Sequence, residues 1–159
     1  MKISFDTMSN IFDKIKKLRE ETGAPVIRVK KVLEEVGGDE KKAFKILQKE
    51  GFEKAEKRAE RVTSQGLVET YTHHSGKIVS VVELLCETDF VARNELFKNL
   101  AHDLALQVAS LGAKTPKELM EQEFIKDPTK KVEDLVKEVI AKTGENVRVG
   151  RIFRVELGE

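Results

Sequence analysis

Apolar residues recur along this chain first at helical spacing and then at strand spacing, with the change of period near residue 66. Ile11, Ile15 and Leu18 fall at i, i+4 and i+7 behind an Asn10 cap, and Thr22-Gly23 supplies a stop. Pro25 suits a first helical position, followed by Val26, Val29, Leu33 and Val36 on one face until Gly37-Gly38. Asp39 caps a third helix carrying Ala43, Ile46 and Leu47, which Gly51 is expected to end. Helices this short are unstable alone in water, so the three must pack together through their apolar faces. Phe52 to Ser64, with only Ala55, Ala59 and Val62 on a narrow apolar side, reads as a solvent-exposed connecting helix.

Beyond Gln65-Gly66 the pattern predicts a hairpin: Leu67 to His73, a turn at His74-Ser75-Gly76-Lys77, then Ile78 to Cys86. The returning run, IVSVVELLC, is nearly continuous in apolar residues and is expected to be buried on both sides. Phe97, Leu100, Leu104, Val108 and Leu111 trace one face of a long helix. Thr115-Pro116-Lys117-Glu118 combines a cap, a first-turn proline and a capping-box acid. Val132, Leu135, Val136, Val139 and Ile140 mark another helix, ended by Gly144, and NVRVGRIFRVEL is a closing strand. The pattern therefore predicts an α+β protein. Its parts are a three-helix domain over 1–51, a connecting helix over 52–66, and a domain over 67–159 with a three-stranded antiparallel sheet packed by helices on one face.

Composition narrows what such a chain can do. Its 159 residues suffice for a real core, and no apolar run approaches the roughly 18 residues that a membrane span needs. The opening MKISFDTMSNIFDK is broken by acidic residues and has no apolar h-region, so neither a secretory leader nor a transit peptide is expected. A single cysteine, Cys86, rules out an internal disulfide and any multi-cysteine metal site and suits a reducing cytoplasm. Residues 10–62 hold 15 basic against 11 acidic side chains, and residues 63–159 hold 13 against 16. The basic residues are interspersed with acidic ones, as on a solvated helix surface, so nucleic acid is not the expected partner.

Candidate chemistry is sparse. A cysteine activated by histidine is a recurrent nucleophile, but Cys86 stands at the far end of the strand from His73 and His74, about eight residues or roughly 25 Å away. The two histidines point to opposite faces of a strand and have no carboxylate cluster beside them, so no metal, cofactor or catalytic role is expected. No phosphate-binding glycine loop is present in the sequence either. The unusual stretch is LLCETDFVARNELF, Leu84 to Phe97, where strand turns into helix without a Gly or Pro. From spacing alone, the simpler reading packs Phe90 on the domain's own sheet with Asp89 capping the following helix. The other reading presents Phe90 outward from the tip.

Four stretches carry a resemblance: LREETGA at 18–24, GGDEKKA at 37–43, CETDFVARN at 86–94 and GENV at 144–147. In this order they are similar to the successive signatures of the elongation factor Ts family, nucleotide-exchange factors of elongation factor Tu. The likeness covers the chain from about residue 9 to its end, and TDFVARN is its most specific part. It implies a ubiquitin-associated-like three-helix domain, a core domain, and guanine-nucleotide exchange in translation elongation without enzymatic catalysis. It also implies that Thr88, Asp89, Phe90 and Val91 enter the partner beside its nucleotide pocket. Phe90 would then be the wedge that disturbs the magnesium ion, Asp89 its polar partner, and Thr88 and Val91 the shoulders. Leu18, Arg19, Thr22 and Gly23 would lie at the partner surface of the first domain. Two departures stand out: Pro25 to Val29 replaces a small, Met-rich stretch, and only Gly112 to Glu121 stands where the family has a helical excursion. The chain thus resembles a trimmed form with a single core repeat. Short members tend to pair through their sheets, for which Ile152, Phe153 and Val155 offer apolar surface. The competing reading is a helical protein-binding module with a core that only dimerises.

Overall fold

The computed structural model describes residues 5–159, with side chains from Asn10 onward. The leader reading of the extreme N-terminus therefore lies partly outside the described residues. Helix α1 (Phe5–Thr22) starts before Asn10, which is an interior position and not a cap. Helix α2 (Val26–Glu35) begins one residue later than expected, with Pro25 at its N-cap. It buries Val29, Val32 and Leu33, while Val26 stays exposed. Asp39 caps α3 (Glu40–Lys57), accepting the Lys42 N–H at 3.1 Å. Ile15, Leu18, Val29, Val32, Leu33, Ala43 and Leu47 form the small core of these three helices.

Gly51 does not end α3, and there is no separate connecting helix over Phe52 to Ser64. The third helix runs through Gly51 to Lys57, and a turn over 58–60 and an irregular segment to Ser64 follow. Glycine inside a helix costs about 1 kcal/mol relative to alanine. Here it permits a close crossing: a Cβ added at Gly51 would stand 3.1 Å from Ala141 Cβ on α7 (Val132–Thr143). Beyond the crossing, Lys137 pairs with Glu56 at 3.3 Å and lies 5.7 Å from the centre of the Phe52 ring. Ala55 joins the core of the second domain, so α3 serves both cores.

The hairpin forms as β1 (Gln65–Thr72) and β2 (Ile78–Cys86), closed by the His73 N–H donating to the Ile78 carbonyl. Strand β5 (Val147–Glu156) pairs antiparallel on the other side of β2, so the sheet order is β1-β2-β5. Burial along β2 alternates, which corrects the expectation of a strand covered on both sides. Ser80, Val82, Leu84 and Cys86 face the helices, whereas Val79, Val81, Glu83 and Leu85 face away. The reason is topological: α5 (Glu95–Leu111) and α7 cover one face, and no described element covers the other.

Helix α5 is capped by Asn94, whose side chain accepts the Leu96 N–H at 2.8 Å, and it stops at Gly112 in the left-handed conformation. Phe97, Leu100, Leu104 and Val108 are buried as expected, but Leu111 is exposed. Helix α6 (Pro116–Glu121) has its Thr115 cap. A short hairpin absent from the sequence reading follows it, β3 (Glu123–Phe124) and β4 (Asp127–Lys131). Buried Gln107 holds that hairpin in place: its amide donates to the Glu123 carbonyl at 2.9 Å and its carbonyl accepts from Ile125 at 2.9 Å.

Candidate functional site

The corner between β2 and α5 is a single helical turn, α4 (Asp89–Ala92). Thr88, extended at φ −125° and ψ 159°, is its N-cap, and its hydroxyl accepts the Val91 N–H at 3.4 Å. Asp89 occupies the first turn instead of capping, and its carboxylate pairs with Arg93 at 2.8 Å. Phe90 is 80% exposed, whereas Val91 is buried in the domain core. A one-turn helix must present some side chains inward and others outward, and here Val91 takes the inward place and Phe90 the outward one. Val91 is thus an anchor of the corner and not part of its surface.

The corner is held from below by residues remote in sequence. Glu145, just past the end of α7, takes the Thr88 hydroxyl on one carboxylate oxygen at 2.6 Å and the Thr88 N–H on the other at 3.0 Å. Asn146, only 4% exposed, donates its backbone N–H to Glu87 at 2.6 Å and its side-chain amide to the carbonyls of Ala59 and Arg61 at 3.2 and 2.8 Å. Within GENV nothing local marks these residues as partners of the corner. Cys86 completes the underside, its thiol donating to the Thr88 carbonyl at 3.1 Å. Burial, helped by the Glu145 charge, pushes that thiol up to about 11, so at neutral pH it is a protonated core group. His73 and His74 lie at the opposite end of the hairpin, with His73 bonded to Ser75 at 2.8 Å.

The residues proposed for the first domain divide differently. Leu18 is 1% exposed and belongs to the three-helix core, so its expected surface position is wrong. Thr22 is also buried, and its hydroxyl donates to the Leu18 carbonyl at 2.6 Å, closing the end of α1. Arg19 is exposed. Gly23, at φ 70°, sits against α7, where an added Cβ would fall 2.7 Å from Lys142 Cα. Gly23→Ala is therefore expected to combine left-handed strain with a backbone clash, a loss of roughly 2–5 kcal/mol. Thermal unfolding measures it, and increased proteolysis of residues 10–57 would show that the helical module has left α7.

Fold and corner together define a class: a two-part α+β protein that displays an apolar tip on an anchored turn. Among its described residues there is no cluster of three or more His, Cys, Asp or Glu side chains placed to hold a metal. The sequence profile of the family described as elongation factor TS matches residues 87–159. Elongation factor Ts of Thermotoga neapolitana is 42% identical over 190 aligned positions, covering 92% of this chain and 96% of that protein. Elongation factor Ts of Herpetosiphon aurantiacus is 38% identical, covering 95% and 99%. The chain belongs to the elongation factor Ts family. The aligned length exceeds the 159 residues of the chain, so these relatives carry positions that it lacks, in keeping with a trimmed form.

Proposed function

We propose that this protein is a guanine-nucleotide exchange factor for elongation factor Tu, acting in translation elongation. It would bind the GDP-bound factor, insert Phe90 beside the magnesium and phosphate site, and promote GDP release. The observation that carries this reading is the exposure of Phe90 on an anchored turn, within a sequence related to elongation factor Ts along almost its whole length. A protein that binds the nucleotide-free state more tightly than the GDP state weakens GDP binding by the same factor. Burying an exposed Phe in the partner contributes roughly 1.5–3 kcal/mol to that difference, about one to two factors of ten. Magnesium requires near-ideal octahedral geometry, so a small displacement of its surroundings lowers its hold on phosphate. Asp89, tied to Arg93, keeps the turn polar on one side of the wedge, and Arg19 and Gly23, both exposed at the end of α1, would meet the partner from the first domain. Release of fluorescent GDP from elongation factor Tu, with and without the protein, tests the proposal. An unchanged release rate would reject it in favour of a module that only binds.

The open face of the sheet supports self-association as part of the same reading. Val68, Val79, Phe153 and Val155 are exposed there, around a pair between Glu83 and Arg151 at 3.1 Å. Ile152, first assigned to this surface, is buried on the helix side. A second copy is the fitting occupant, because across a two-fold axis each Glu83 can meet the other copy's Arg151 while the valines and Phe153 are covered. Sedimentation at micromolar concentration is expected to show a dimer, and Val155→Glu a monomer. A monomeric parent protein would reject this assembly.

A further inference from the structure

We infer that Glu145 is a positioning residue for nucleotide exchange: its carboxylate sets the direction in which Phe90 leaves the corner. This rests on the exchange reading above. Helix α4 has four residues, far fewer than a helix needs to hold its own shape, so its orientation is imposed from outside. Val91 and the half-buried Ala92 pack it against the core along one side. Apolar packing along one side does not by itself fix the rotation of the turn, and a rotation would swing Phe90 away.

Glu145 blocks that rotation. Both donors of Thr88, the backbone N–H and the hydroxyl, end on the two oxygens of this one carboxylate. Because the hydroxyl hydrogen is committed to Glu145, a lone pair of the same oxygen is left for the Val91 N–H, and the cap of α4 is set by the same contact. Hydrogen bonds to an ionised group are about twice as strong as neutral ones. The carboxylate is itself fixed on both sides in sequence. Gly144 at φ 78° ends α7, and Asn146 is bonded to Glu87 on one side and to the Ala59–Arg61 segment on the other. Arg61 also faces Glu87 at 3.5 Å. One short loop thus joins the base of the wedge to the segment arriving from α3, so the first domain and the Phe90 tip are held in a fixed mutual arrangement. Glu145 and Thr88 are only half-buried, so their contact contributes more to the direction of the turn than to the stability of the core.

The test uses the full chain with elongation factor Tu bound to fluorescent GDP. Glu145→Ala is expected to lower the maximal release rate about tenfold, the scale of a lost charge-assisted bond. The half-saturating concentration should change less than about threefold, since the outer contacts with the partner remain. Thr88→Val, which keeps the shape but removes the hydroxyl, should reproduce the effect, and Glu145→Gln, which keeps one acceptor, should fall between. If Glu145 acts through the wedge, adding Glu145→Ala to Phe90→Ala should slow release no further. Hydrogen exchange supplies a readout independent of activity: the Thr88 and Val91 amides should lose protection in Glu145→Ala, and the Leu104 and Val108 amides should not. Parent-like release by Glu145→Ala, or effects of the two substitutions that simply add, would overturn the inference. Should Phe90→Ala itself release GDP at the parent rate, the exchange reading fails instead. Unchanged protection at Val91 in Glu145→Ala would then overturn the positioning role separately.

Discussion

Phe90→Ala is expected to slow GDP release from elongation factor Tu by roughly ten- to hundredfold at saturating protein, the rate equivalent of one buried phenyl ring. The melting temperature should stay within about 2 °C of the parent, because exposed truncations change stability by about 0.5 kcal/mol or less. Both halves follow from the placement of the ring. At 80% exposure it has almost no contacts to lose in the free protein, so removing it leaves the folded state nearly unchanged. Its contribution appears only when the partner covers it, and it favours the nucleotide-free state. Binding should therefore persist through the remaining contacts while exchange fails. Stopped-flow fluorescence and thermal unfolding on the same preparation decide the matter. A melting temperature several degrees lower with normal release would show that the ring packs inward, and the wedge would be abandoned.

Phe97→Ala should behave in the opposite way. This second Phe lies on the first turn of α5 with 0% of its surface exposed, packed within the core that joins the sheet to α5 and α7. Truncating a core Phe costs roughly 3–5 kcal/mol, because the lost transfer free energy is joined by the cavity left behind. For a protein of this size that lowers the melting temperature by about 10 °C or more. At temperatures where the variant remains folded, GDP release per folded molecule should stay near normal, since Phe97 does not reach the surface. A variant as stable as the parent would mean that this core can collapse around the gap.

The contrast between the two rings shows how far the sequence can be read. Phe97 is legible as core, because Leu100, Leu104 and Val108 repeat its face at helical spacing. Phe90 has no periodic context, so its spacing alone leaned toward an inward position, and only the family likeness pointed the other way. The motif groups Val91 with the surface, yet it is the side chain that ties the turn down. Leu18 and Thr22 are buried although their motif points to a surface, for the same reason: a motif at a helix end says which residues recur together, not which of them face outward. Glu145 was invisible as a support of the corner, since its partner Thr88 is 57 residues away.

By itself the sequence determined the presence of the three helices of the first domain, the hairpin around the His74–Lys77 turn, the Asp39 and Thr115 caps, the glycine stop at 144, and the α+β class. These depend on interactions within a few residues: the period of apolar positions, side chains accepting the first free N–H groups of a helix, and glycine's access to positive φ. Tertiary structure alone decided that α3 continues through Gly51, because the cost of glycine in a helix is offset only by the close approach of α7. It also decided that β2 is covered on one face and that Gln107 recruits the β3–β4 hairpin. It brought the loop after α7 beneath the corner as well. Each of these outcomes depends on contacts between segments far apart along the chain, and a local pattern carries no record of which distant surface will cover it or leave it bare.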